Sequence, residues 1–242
     1  IRVIGSRYSS DTSRVRDFLT KNRLPFTWLD LEANPDVTQL LKQFGVSEAD
    51  TPVVTWGRKL ILRNPSDREL AEALGIRRPL EHTTYDLIVV GAGPAGLGAA
   101  VYAASEGLTT VVLESAGPGG QAGRSMRIEN YLGFPTGISG SELAERAAVQ
   151  ANKFGAHIAV PSPVTRLTLE GQYPTLHIDG GEMLTAKCVL IASGADYRRL
   201  PAEGCERYEG CGVYYAATRN EAPLCRNAEA VVIGGGNSAG QA

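Results

Sequence analysis

The sequence predicts an α/β fold in more than one domain, and three observations carry that reading. Residues 85–114 run strand, G-x-G-x-x-G, helix, strand, acid. Residues 230–239 repeat the first half of that pattern, an apolar run leading into Gly234-Gly235-Gly236-Asn237-Ser238-Ala239. Residues 1–75 alternate short strands and helices in the order βαβαββα, a reasonable length for a small independent domain.

Arg2 to Gly5 reads as a short strand. Asp11 to Arg23 has the helical period, with Val15, Phe18 and Leu19 on one face. Phe26 to Asp30 is a second strand, and Asp36 to Phe44 a second helix closed by Gly45. Thr51 to Thr55 is a strand opened by Pro52, and Lys59 to Leu62 is another. Ser66 to Leu74 is a helix with Ser66 and Glu69 in the capping-box positions. Gly75 to Thr84 has no apolar period and reads as a linker.

Leu87 to Val90 is a continuous apolar run, as expected of a parallel strand buried on both faces. Gly91 and Gly93 let the backbone turn sharply and approach a ligand where a Cβ would clash. Pro94 suits the first helical turn, and Gly96 lets the helix pack closely on the strand. Leu97, Val101 and Ala104 share a helical face that ends at Gly107. A second apolar strand follows and finishes on Glu114. Free N–H groups at the helix start can bind a pyrophosphate, and Glu114 can hold ribose hydroxyls. A lone G-x-G-x-x-G is weak, but this full context predicts a dinucleotide site.

Gly119, Gly120 and Gly123 follow in a stretch whose backbone amides are free to meet a ligand. Ser141 to Phe154 is helical. Val164 to Leu169, Thr175 to Asp179 and Glu182 to Thr185 read as an antiparallel meander with Asp179-Gly180-Gly181 as a turn. Cys188 to Ala192 is a separate apolar strand running into a small-residue turn, in which Cys188 is expected to be core packing. Leu200 to Gly212 reads as a crossing between domains, and Ala230 to Ile233 as one more buried strand.

The bulk numbers narrow the classes. Charged residues are 21% of 242 and the net charge is -2, which disfavours nucleic acid or an anionic membrane as the main partner. No apolar stretch is long enough to span a bilayer, and no secretory signal opens the chain. The four cysteines (Cys188, Cys205, Cys211, Cys225) form no C-x-x-C, and reduced thiols in a cytoplasm are expected. The three histidines (His82, His157, His177) lie apart from them, so no metal site is expected.

The first 75 residues resemble the glutaredoxin branch of the thioredoxin fold. In that family a C-x-x-C follows the first strand, and a cis proline faces it from the loop before the third. Here Tyr8-Ser9-Ser10-Asp11-Thr12 and Thr51-Pro52 hold those places, with Ser9 and Thr12 where the cysteines would be. A hydroxyl provides neither a thiolate nor a disulfide, so this domain is expected to be redox-silent.

Two dinucleotide turns with a meander between them resemble the two-dinucleotide flavoprotein reductases. Gly119-Gly120-Gln121, Ile128-Glu129-Asn130-Tyr131 with Gly133-Phe134, Ala192-Ser193-Gly194-Ala195, and Gly212 to Thr218 narrow this to the thioredoxin reductase-like branch, from Tyr85 to Ala242. The resemblance implies that FAD is held by Gly91, Gly93, Pro94, Ala95, Gly96 and Glu114. Gly119, Gly120, Gln121, Asn130 and Val164 would lie along the rest of it, and Ala192, Ser193 and Gly194 would close over it. Gly234, Gly236, Asn237, Ser238 and Ala239 would hold NADPH or NADH.

The departure is at the family's dithiol, C-A-T-C after a tyrosine. Here Tyr215 is followed by Ala216-Ala217-Thr218-Arg219, so no catalytic cysteine is expected. Cys211 and Cys225 lack the spacing to replace the pair. A dithiol relay needs an attacking thiolate and a resolving thiol, and Ala216 and Arg219 supply neither.

The expected organisation is a thioredoxin-like domain at 1–75, a linker at 76–84, an FAD-binding domain at 85–204 and the start of an NAD(P)H-binding domain at 205–242. The expected activity is a cytoplasmic FAD-dependent NAD(P)H oxidoreductase that passes electrons from flavin directly to a small-molecule or protein acceptor. A catalytically silent flavin-binding regulator or scaffold is the other reading. The resemblance leaves room for a homodimer. The opening on Ile1 and the stop shortly after Ala239 carry a further expectation, that these residues are a fragment of a longer functional unit.

Overall fold

The structure is a computed structural model. It describes residues 1–33, 36–57, 60–215, 225, 229–236, 239 and 240. The chain forms two compact units, Ile1–Ser66 with Asp196–Ala242, and Asp67–Ala195.

In the first unit the strands are β1 (Arg2–Gly5), β2 (Thr27–Asp30), β3 (Val53–Trp56) and β4 (Leu60–Arg63). They lie in the order β2-β1-β3-β4, with β1 parallel to β2 and antiparallel to β3. Helix α1 (Ser10–Lys21) joins β1 to β2, and α2 (Val37–Gln43) joins β2 towards β3. The Ser9 hydroxyl caps α1 by accepting the Thr12 N–H at 3.3 Å. Asp11 in the first turn and Lys21 in the last suit the helix dipole. Val15, Phe18 and Leu19 are buried along α1, and α2 packs Val37 and Leu41 on Ile4 and Val53. The Thr51–Pro52 peptide is cis.

In the C-terminal stretch of this unit, Cys205–Tyr208 form a short 3-10 turn. The predicted buried strand at Ala230–Ile233 is not found there. Val231, Val232 and Ile233 are exposed and without regular structure. Among the described residues no strand lies beside them to take their N–H and C=O groups, and an isolated strand is not stable in water.

The second unit continues with α3 (Asp67–Ala73), β5 (Thr84–Val90), α4 (Pro94–Ser105), β6 (Thr110–Leu113), α5 (Gly140–Lys153), β7 (His157–Ala159), β8 (Val164–Thr168), β9 (Thr175–Ile178) and β10 (Met183–Ile191). One six-stranded sheet runs β7-β6-β5-β10-β9-β8. Its β7, β6, β5 and β10 are parallel neighbours, and β8-β9-β10 form the expected meander. Val89 and Val112 pack on Leu97, Ala100 and Ala104 of α4 and Ala151 of α5. Ile88, Val111 and Leu113 pack instead with Leu176 and Leu184 of the meander. Burial on both faces explains the continuous apolar run of β5.

Two readings of this region are corrected. The predicted strands Glu182–Thr185 and Cys188–Ala192 are one strand, β10. Its first residues pair antiparallel with β9, while Thr185 to Ile191 pair parallel with β5. Cys188 is exposed rather than core, as are Leu190 and Ile191, because β9 stops pairing at Thr185. The short parallel strand β7 has no counterpart in the sequence reading.

Charged groups fasten the ends of this sheet. Glu182 accepts from Arg68 at 3.0 Å and from Arg77, tying α3 and the residues after it to the β9–β10 turn. Arg68 also donates to the Asp179 carbonyl at 3.2 Å, beneath Gly180. Asp86 accepts from Lys187 at 2.7 Å and from the Thr109 hydroxyl and N–H at 2.6 and 2.8 Å. Among the described residues no helix is long and apolar enough to cross a membrane. No three His, Cys, Asp or Glu side chains among them cluster as metal ligands.

Two predictions follow from these contacts. The Thr12 hydroxyl is buried, with the residue 1% exposed, and has no hydrogen-bond partner among the described residues. Thr12→Val keeps the shape and removes that unmet group, so it should raise stability by about 1 kcal/mol. A urea midpoint at or below wild type would contradict the assignment. The second concerns Asp86, whose carboxyl is held well below the usual carboxylate range by Lys187 and Thr109. Its contribution to stability is complete above the ordinary carboxylate pKa and is lost as pH falls below about 4. Asp86→Asn should therefore lower the urea midpoint at pH 7, and the gap to wild type should close in acid. A gap independent of pH would show that the charge plays no part.

Candidate functional site

The site is the turn between β5 and α4, together with the two loops that flank it. Gly91 leaves β5 at φ +101°, a left-handed conformation that favours glycine. A Cβ there would stand 2.5 Å from the Ala192 carbonyl oxygen, so the loop after β10 backs directly on the turn. A Cβ on Gly96 would stand 1.9 Å from the Gly91 carbonyl oxygen and 3.2 Å from Val89. Helix α4 therefore lies against β5 at a distance only glycine allows. Gly120 approaches the turn less closely, where its Cβ would meet Gly93 Cα at 3.1 Å. Gly93 itself is open, since its Cβ would meet nothing nearer than 4.0 Å.

The turn is held by hydrogen bonds from three sides. Gly91 N–H donates to the Leu113 carbonyl at 2.8 Å, and the Ala92 carbonyl accepts from Gly119 N–H at 2.8 Å. Ala92 N–H donates to the Glu114 carboxylate at 2.8 Å. The Gln121 carboxamide donates to the Ala195 carbonyl, joining the loop after β6 to the loop after β10. Pro94 occupies the first turn of α4, and the first N–H groups of a helix have no partner within it. This arrangement presents amides and the positive end of a 12-residue helix beside bare glycine backbone. A diphosphate fits it, because a Cβ at Gly93 would fill the space a phosphate needs. An apolar groove of about 360 Å³ between α4 and α5 is a different place and meets the turn only at Pro94 and Gly119.

The structure thus brings Gly91, Gly93, Pro94, Ala95, Gly96, Glu114, Gly119, Gly120, Gln121, Ala192, Ser193 and Gly194 to one end of the sheet. Val164 stands at the start of β8, two residues beyond Ser162, whose N–H donates to the Glu114 carbonyl at 2.7 Å. Asn130 is exposed in the loop before α5. Gly234, Gly236 and Ala239 belong to the other unit, where Ala239 N–H donates to the Gly236 carbonyl at 3.0 Å. Asn237, Ser238, Ala216 and Arg219 lie outside the described residues. The sequence reading passed over Ala92, whose peptide group is gripped at both ends; an x in a G-x-G-x-x-G pattern gives no signal.

Residues 85–241 match the family of pyridine nucleotide-disulphide oxidoreductases. The chain belongs to that family. Its members bind flavin and NAD(P), and the Rossmann-type α/β fold expected of the FAD-binding part is the fold found here. A thioredoxin reductase of Treponema pallidum is 44% identical over 158 residues, 65% of this chain and 50% of that protein. One from Bacillus subtilis is 38% identical over 159 residues, 66% of this chain and 49% of that protein. Among solved structures, the thioredoxin reductase of T. acidophilum superposes with a TM-score of 0.50 at 34% identity, covering 54% of this chain and 42% of that one. The chain spans about half the length of the curated relatives it matches.

The approach of α4 to β5 is directly testable. Gly96→Ala should lower stability by about 2–4 kcal/mol, because the neighbour it meets is backbone and cannot swing away. Urea unfolding followed by circular dichroism measures this. A variant as stable as wild type would show that the two elements do not pack this closely.

Proposed function

We propose that this chain is the flavin-binding part of a thioredoxin reductase-like FAD-dependent NAD(P)H oxidoreductase that works without a dithiol relay in its own sequence. The observation that carries the first half is the glycine turn at 91–96, closed by Glu114 and backed by the loops at 119–121 and 192–195. In this reading Gly91, Gly93 and the start of α4 hold the diphosphate, Glu114 holds the adenosine ribose, and Gln121, Ser193 and Gly194 line the rest. Gly234 to Ala239 serve the nicotinamide nucleotide. A bound flavin would supply the chemistry, hydride acceptance from a nicotinamide and electron delivery to an acceptor. The protein's part is to bind and orient.

The second half rests on the sequence. The tyrosine-led stretch of the family's dithiol reads Ala216-Ala217-Thr218-Arg219, and none of the four cysteines stands at C-x-x-C spacing. With no thiol pair to charge, the acceptor would be external, a small molecule or a partner protein. Residues 1–75 serve as a redox-silent docking module of thioredoxin-like type. Their strand order β2-β1-β3-β4 supports that reading, and Ser9 and Thr12 supply no thiol. We place the protein in the cytoplasm, with a homodimer as its assembly. A second reading, a catalytically silent flavin-binding regulator, is favoured by the same double loss of C-x-x-C.

Cofactor released from the complete protein by heat should be FAD by chromatography. Gly93→Val should fold normally, since its Cβ meets open space, and should lose the flavin. Flavin retained by that variant would overturn the site. Steady-state NADPH oxidation with an artificial acceptor separates the enzyme from the silent binder. Replacing all four cysteines by serine should leave that turnover unchanged. A large loss in a folded variant would show thiol redox work.

A further inference from the structure

Glu114 directly follows β6, with its main chain fixed on both sides. Its N–H donates to the Ala159 carbonyl at 3.1 Å, and its carbonyl accepts from Ser162 N–H at 2.7 Å. The carboxylate is therefore held in place, and both of its oxygens are engaged. Oε2 accepts from Ala92 N–H at 2.8 Å. Oε1 accepts from Ala116 N–H at 3.0 Å, Gly117 N–H at 3.4 Å and the Ser115 hydroxyl at 3.3 Å. Ala92 is fully buried, and its carbonyl is taken by Gly119 N–H at 2.8 Å.

We propose that Glu114 is a positioning residue that braces the two loops of the cradle, 91–93 and 115–119, through the Ala92, Ala116 and Gly117 amides. This deepens the dinucleotide reading, which gives Glu114 only a ribose contact, and its ligand-binding half rests on that reading. The brace is made of this chain's own groups alone. It fixes the Ala92 peptide, and with it the direction of the glycine backbone on either side that a diphosphate must meet. A carboxylate is the one side chain of this length with two acceptor oxygens and no donor. Glutamine offers one oxygen and one NH2. It can satisfy one loop, and it turns a donor towards the N–H groups of the other. Ribose hydroxyls both donate and accept, so for a ribose contact alone glutamine would serve nearly as well.

Glu114→Gln separates the two roles. Amide hydrogen exchange is measured on the complete protein stripped of flavin, followed by FAD titration. The brace predicts that exchange at Ala92, Ala116 or Gly117 quickens by about tenfold or more, as loss of a hydrogen bond to a charged group requires. The strand amides of Val89 and Val112 should keep their wild-type rates, and FAD affinity should fall in parallel. Wild-type exchange at all three amides in a folded variant would overturn the proposal. If the variant does not fold, the stripped wild type decides. An Ala92 amide as slow as those of β5 supports the brace, and one exchanging at the rate of an open loop refutes it. Protected amides in a wild-type protein that binds no FAD would leave the brace standing and remove the dinucleotide reading.

Discussion

One close approach governs the flavin-binding unit: α4 lies so near β5 that a single methyl at Gly96 would stand 1.9 Å from the Gly91 carbonyl. That contact sets where α4 begins and so where its free N–H groups point. The rest of the cradle is built onto it. Gly91 must turn left-handed to make room, the loop after β10 closes in behind it, and Gly120 approaches Gly93 from the opposite side. Each approach is between backbones, which leave no side chain to give way.

The sheet beneath this turn is covered differently on its two faces. Helices α4 and α5 pack on Val89 and Val112, while the meander folds back to pack with Ile88 and Val111. Strand β10 makes this possible by pairing along both of its edges, antiparallel to β9 at its start and parallel to β5 beyond. The same strand delivers Ala192 and Ser193 to the back of Gly91. Packing of the meander and geometry of the cradle are thus one structural fact. Charged clusters at Asp86 and Glu182 fasten the periphery, and being exposed they add little to stability compared with the core.

The chemistry of the family and the composition of this chain pull apart. The cradle has the glycines, the helix start and the acid that a flavin nucleotide calls for. In the proposed reading, the places where thiols would pass electrons onward hold serine, threonine, alanine and arginine. A binding site and a relay are separate pieces of such a protein, so one can persist without the other. In the proposed reading the exposed Cys188 does not restore a relay, since no second cysteine stands at C-x-x-C spacing from it.

The sequence by itself determined the α/β class, the strand-turn-helix at 85–107 and the acid at 114. These depend on residues a few positions apart, and glycine spacing and apolar period report such local geometry directly. It also settled that no C-x-x-C is present. Only the tertiary structure decided the rest. That β10 is one strand follows from two partners, β9 and β5, which lie far apart in the chain. Strand β7 is three residues long and exists because β6 offers it an edge. The exposure of Cys188 and of Val231 to Ile233 depends on what packs beside them, which an apolar run cannot show. Ala92, an unmarked position in its motif, became a structural centre because Glu114 and Gly119 come from another strand and loop to hold it.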